Sequence, residues 1–397
     1  MTSKHLTWLA LAAAVAIAAA IWAARERAPE TGGSSGNPLV PGLESAVNDV
    51  ARIDIGTGDE TRVTLERGED GWTVAQKSGY PADIGKLREM LLALAGSTVL
   101  ERKTSDPEKY GQLGVEDVLE DDAPGAWIEL DGLGDPVRLV IGDNARGGSS
   151  TYARRAGEES ALLVSGNLDI EKQPIEWLRR DILDVAADSV QSVTITHPDG
   201  SSLAVSKDRH GLPDFSVADI PAGHQIKSAG DVNSVASALT GLRLEDVRPA
   251  EEIPAEDKVQ AAFRLFDGTV LTVQAFERDE QKLVHVDVAF DEALATAMAQ
   301  AAAAAAAIPE AAAAAIEPAT PGEEGDAPAG DADTSAAEAA AETQRADLEA
   351  ARESAAALET RLEPWLFEVS DYKYEQLTRD AADLFEPTVP ETATDGD

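Results

Sequence analysis

Two well-separated stretches of this chain carry the same spacing of apolar and polar positions. Val50, Ile53 and Ile55 recur as Val190, Val193 and Ile195, each set reading as a half-buried strand. A polar turn follows in each, "GTGDE" or "HPDGS", and then a second strand with Val63 and Leu65 or Leu203 and Val205. These are hairpin signatures. Gly71 and Gly211 open the next strand in the two copies.

A helix is predicted next. Asp83 caps Ile84, Leu87, Leu91 and Leu94, and Asp231 caps Val232, Val235, Leu239 and Leu242. Both sets fall on one stripe of a 3.6-residue helix. Val99 and Val247 stand at equal distances beyond. A meander then runs through "AWIELDG", "VRLVIGD", "TYARR" and "ALLVSGNLDIE" in the first copy. Its counterparts are "AFRLFDG", "VLTVQAF", "LVHVDVAF" and "WLFEVSDYKYEQL". The pattern predicts an α+β fold: a single N-terminal transmembrane helix, then two tandem repeats of a mostly antiparallel β module, each with one amphipathic helix. The modules are placed at residues 47–186 and 187–386, after a flexible Gly/Ser/Pro linker at 28–46 and before an acidic, disordered tail at 387–397.

The copies differ between their third and fourth meander strands. The first has the short turn "AGEES"; the second has an alanine-rich low-complexity insertion at 291–362. Alanine favours helix but offers little to bury, so a solvated helical excursion from a hairpin tip is expected. Leu348, Ala351, Ala355, Leu358 and Leu362 outline a seam that a partner helix could use instead.

Residues 6–24 form an uninterrupted apolar run, with Lys4 before it and Arg25 and Arg27 after it. About 19 residues at 1.5 Å each span a hydrocarbon core of about 30 Å. Leu6, Trp8, Leu9, Val15, Ile17, Ile21 and Trp22 are its anchoring side chains, with both tryptophans near the expected interfaces. The alternative is a signal peptide cleaved near Ala18–Ala20. Either way, the bulk of the chain is expected outside the cytoplasm; with the span retained, it is a single-pass protein of the inner membrane, attached by its N-terminal helix.

Composition narrows the partners. Acids outnumber bases 73 to 33, a net charge of −40. Such a surface repels phosphate backbones, so nucleic acid is excluded as a partner. A solvated, aggregation-resistant surface explains the acidity without metal, because divalent-cation sites need carboxylates converging at defined spacing. With no cysteine, disulfides, thiolate metal sites and a lipid-modified cysteine are ruled out.

No motif carries catalytic chemistry, and no catalytic, cofactor-binding or metal-binding residue is assigned. His5, His197, His210, His224 and His285 form no metal-ligand spacing. There is no G-x-S-x-G elbow, and Lys86 in "DIGKLREM" lacks a preceding glycine-rich turn. "IGDNARGGSSTY" reads as a hairpin connection rather than an anion nest. Glu120–Asp122 and Glu251–Glu252 are adjacent in loops, which establishes no cleft. Trp72, Trp127, Trp177 and Trp365 read as packing residues.

Four segments resemble a bacterial family, domain of unknown function 4340: Gly71–Trp72, "EKYGQLGVED" from Glu108, "LVIGDNARGGSSTYARR" from Leu139 and "PIEWLRRDILDV" from Pro174. The resemblance implies a membrane-anchored envelope protein, an accessory subunit that partners an ABC-transporter permease or its gliding-motility-type auxiliary protein. It supplies no catalytic residues. A non-enzymatic accessory or scaffolding ectodomain is the expected function. The alternative is a periplasmic ligand-binding or cell-wall-acting ectodomain with a site between the modules.

Overall fold

The computed structural model describes residues 36–58, 60–117, 125–251, 253, 256–314 and 331–388. It divides into two compact units. One comprises Met1–Thr73 and Ile84–Trp177, the other Val74–Asp83 and Leu178–Asp397.

The first unit is built on β1 (Arg52–Thr57), β2 (Glu60–Gly68) and β3 (Gly71–Val74). The short β4 (Tyr80–Pro81) belongs to the second unit. After it come β5 (Val99–Thr104), β6 (Ala126–Asp131), β7 (Val137–Asn144), β8 (Ser150–Arg155) and β9 (Ala161–Ser165). The sheet contains the run β3-β2-β1-β6-β7-β8-β9-β5. At its centre Ile53 lies between Leu65 and Leu130, and Ile55 between Val63 and Ile128. All six are fully buried, which is why alternation in the sequence selects this register: a slip of one residue would turn every one of them to the other face. Helix α1 (Ile84–Gly96) buries Leu87, Met90, Leu91 and Leu94 but leaves Ile84 exposed.

In the second unit β10 (Asp181–Leu183) precedes β11 (Val190–Thr196), β12 (Ser202–Ser206), β13 (Ser216–Val217) and β14 (His224–Ile226). Helix α2 (Ala229–Ala236) leads to β15 (Leu242–Arg243) and β16 (Asp246–Pro249). The long strands β17 (Val259–Leu265), β18 (Thr269–Arg278) and β19 (Gln281–Phe290) come next. Helices α3 (Glu292–Ala314) and α4 (Asp331–Leu362), strand β20 (Trp365–Glu368), helix α5 (Asp371–Leu377) and β21 (Phe385–Pro387) complete it. The order of the main sheet is β13-β12-β11-β17-β18-β19-β20-β16. Replacing each strand by its counterpart in the first sheet gives the same order. Val193 sits between Val205 and Phe263, and Ile195 between Leu203 and Ala261, all buried.

The expected fold class is corrected here. The described residues are β-rich, with several antiparallel sheets, rather than α+β. Among the described residues no helix is long and apolar enough to cross a membrane. The run at 6–24, with Leu6, Trp8, Leu9, Val15, Ile17, Ile21 and Trp22, lies outside the described residues. One helix per module is also wrong for the second copy, which carries α2 to α5. "SDYKYEQL" does not continue β20. The Ser370 side chain accepts a bond from the Lys373 N–H and starts α5, whose Lys373 Nζ donates to the Ala238 and Thr240 carbonyls at 3.2 and 2.7 Å.

Helix α2 begins earlier than Asp231. Ser228 is its N-cap, accepting from the Asp231 N–H at 3.1 Å while its hydroxyl donates to the Asp231 carboxylate at 2.7 Å. The helix ends at Ala236, so buried Leu239 and Leu242 belong to the following turn and β15.

Candidate functional site

The insertion between β19 and β20 is part of the fold rather than a solvated excursion. Helix α4 packs along β19, burying Ala355 and Leu362. Helix α3 starts against the β17–β18 turn. Asp291 precedes it, and its carboxylate accepts from the Leu294 N–H at 3.0 Å and pairs with Arg264 at 3.0 Å. That backbone bond first, and Arg264 after it, hold Asp291 below the usual carboxylate range. Gly268 in the turn has φ +91°, and a Cβ there would stand 2.6 Å from Cβ of Ala295. Only glycine allows the helix start to approach this closely. Arg352 of α4 ties the two helices together, bonding to Glu292 and lying over the Phe290 ring at 5.6 Å.

Between these helices and the turn lies an open groove of about 1120 Å³. Ala295, Met298, Ala299, Ala302, Leu348 and Ala351 supply its apolar walls. One end carries Phe266 and Asp267 from the β17–β18 turn, with Asp208, Arg209 and His210 from the segment after β12. The ring of His210 stands edge-on to Phe266 at 5.5 Å, and its Nε2 lies 3.1 Å from Asp188. Asp188 also faces the buried Lys207, whose Nζ is 3.7 Å away and 4.5 Å from the Phe215 ring centre. The end of the groove is therefore polar and cross-linked, whereas its walls offer surface rather than chemistry.

The remaining singled-out residues have structural places. His285 is buried in β19, its Nδ1 donating to the Trp365 carbonyl at 3.0 Å and its Nε2 3.4 Å from Asp287. His197 contacts the Arg379 carbonyl at 3.3 Å, and His224 is exposed. The loop at 145–149 joins the antiparallel β7 and β8, where Thr151 donates to Asn144 at 2.8 Å. Lys86 pairs with Glu171 and Glu176 and lies over the Trp177 ring. Trp127 and Trp177 are buried; Trp365 meets Tyr80 edge-on at 5.0 Å. Glu120–Asp122 lie outside the described residues, as does His5. Among the described residues, no three or more His, Asp or Glu side chains are grouped to hold a metal ion.

Sequence reasoning found the α4 seam but missed the groove. The seam residues Leu348 and Ala351 do line it. Its other wall is alanine, which carries no signal of its own in the sequence.

Fold and groove together define a protein of two like-ordered antiparallel sheets with a helical hairpin set into the second. A family model described as Domain of unknown function (DUF4340) matches residues 72–264, and that stretch of the chain is similar to this family. No curated protein and no solved structure matches the chain. The hairpin that forms the groove lies beyond the matched residues.

Proposed function

We propose that this chain is a non-enzymatic interaction protein of the cell envelope, an accessory or scaffolding component of an ABC-type transport complex. On this reading the bulk of the chain lies on the periplasmic side of the inner membrane, and the α3–α4 groove receives a helix of the permease or of its auxiliary protein. The observation that carries the reading is the groove itself. At about 1120 Å³ it exceeds the usual range of small-molecule pockets, and residues of both α3 and α4 line it. Amphipathic helices dock in such grooves through residues at i, i+3, i+4 and i+7. Alanine walls bring a third helix to the short end of the usual 8–10 Å interaxial range. The transport assignment comes from the family resemblance, and the acidity of the surface favours a partner helix with basic flanks.

The chain has no cysteine, so a single thiol can be placed at will. Ala302→Cys puts one on the groove wall, and Ser201→Cys puts a control in the exposed β11–β12 turn. Each is labelled with a photoreactive maleimide, crosslinked in native membranes and read by mass spectrometry. Recovery of an ABC permease or auxiliary protein from the groove thiol alone supports the reading. Equal recovery from both positions, or bait alone with a working positive control, overturns it.

A further inference from the structure

The α3–α4 groove carries charge as well as apolar surface, and the charge is one-sided. Asp208 from the segment after β12, Asp267 from the β17–β18 turn and Asp347 from α4 all line it. All three are exposed. Against them in the lining stands the guanidinium of Arg209, while His210 is engaged by Asp188 at 3.1 Å.

The cations next to the groove are committed to other acids. Lys207 faces Asp188 at 3.7 Å, Arg264 pairs with Asp291 at 3.0 Å, and Arg352 bonds to Glu292. Among the described residues, Asp208 and Asp347 have no ion-pair partner, and Asp267 accepts the Thr269 N–H at 2.8 Å. Unpaired carboxylates are common on a chain with 73 acids and 33 bases. These three are set apart because one cavity holds them beside the apolar side chains of Ala295, Met298, Ala302 and Leu348.

Apolar walls bordered by like charges suit an occupant that is apolar on one face and oppositely charged beside it. Filling the groove displaces water, which strengthens the pull of each carboxylate on a cation. A second copy of this chain would bring the same carboxylates and a net charge of −40, and is repelled. A fatty acid would set its head group against the same three acids. A lysine or arginine one helical turn from an apolar residue can lay its stem on the walls and carry its charge to the carboxylates. We propose that the groove selects an amphipathic helix with Lys or Arg bordering its apolar stripe, and that Asp208, Asp267 and Asp347 read that charge. This rests on the reading that a helix occupies the groove, and adds which residues choose it.

The test measures binding of labelled synthetic helices to the full chain by fluorescence anisotropy. Two peptides of about 18 residues share a Leu/Ala stripe, one with lysine and the other with glutamate at the bordering positions. The lysine peptide is expected to bind at least about tenfold more tightly. Asp208→Lys with Asp347→Lys should remove that preference. Asp208→Asn with Asp347→Asn, which keeps size and polarity, should weaken the lysine peptide by at least about threefold. Glu69→Lys with Asp70→Lys, in an exposed turn of the first unit, changes net charge as much as the first pair and should leave affinity within about twofold. Ala299→Trp fills the groove and should abolish binding. Equal loss in the two charge-reversed pairs would assign the preference to overall acidity and overturn the inference. So would equal affinity for both peptides, binding of neither, or binding that survives Ala299→Trp. The crosslink from the Ala302→Cys thiol is read separately: recovery of a partner there keeps the helix reading even where the charge preference fails.

Discussion

Gly56 of β1 and Trp127 of β6 face each other across the first sheet so closely that a Cβ on Gly56 would stand 2.3 Å from the indole Cζ2. The same Cβ would meet the Glu60 carbonyl oxygen at 2.2 Å, at the point where the β1–β2 register shifts. The indole N–H donates to the Gly58 carbonyl at 3.1 Å, so the ring has no room to retreat. Gly56→Ala should therefore lower stability by about 1–3 kcal/mol. Urea denaturation followed by tryptophan fluorescence measures it; an unchanged midpoint would refute the contact.

The packing of α4 on β19 makes the insertion a structural part of the second unit. Leu362, 1% exposed, anchors its end, whereas Gln300 of α3 is exposed. Leu362→Ala should cost about 2–5 kcal/mol. Gln300→Glu should stay within about 0.5 kcal/mol. Similar midpoints for the two variants in chemical denaturation would return the insertion to a solvated excursion.

Tyr374 in α5 gives an alkaline signature. Burial first, and the neighbouring Glu277 after it, pushes its hydroxyl up to about 12. A raised folded pKa means that the contribution to stability is complete below the unfolded value of about 10 and is lost as pH climbs toward 12. Tyr374→Phe should flatten the fall of melting temperature across that window, and tyrosinate absorbance should lose its latest-titrating component. Identical pH profiles for variant and wild type would count against the assignment.

Glu368 in β20 carries the same sign in a lower pH window. Burial, and next the charge of Asp246, raises its pKa, with Arg248 and a 2.7 Å bond from Gln281 opposing. The folded state favours the protonated acid, so this group's contribution is complete below about pH 4 and is lost as pH rises. Glu368→Gln should melt higher than the wild type at pH 7, by less than about 1 kcal/mol after solvent screening. At pH 3.5 the difference should vanish. A variant less stable at pH 7 would show that the carboxylate is held by its donors instead.

The central hairpins and their register are legible in the amino-acid sequence alone, because alternation with period two is a local signal. Ile53 and Ile55, or Val193 and Ile195, name their own face, and the facing residues in β2, β6, β12 and β17 carry the same alternation. Helix α1 is legible for the same reason, at a period of 3.6. Only tertiary structure decided the rest. The strands β14 and β21 are three residues each and pair across the second unit, with Ile226 opposite Phe385; so short a run holds no periodicity to read. The tract "SDYKYEQL" fits strand or helix, and the Ser370 cap with the Lys373 bonds settled it. Alanine in the insertion favours helix whether packed or solvated, so propensity could not place α4 on β19 or close a groove beside it. A period encodes which face of an element is apolar; what covers that face depends on contacts between residues far apart in the chain, and these exist only once it has folded.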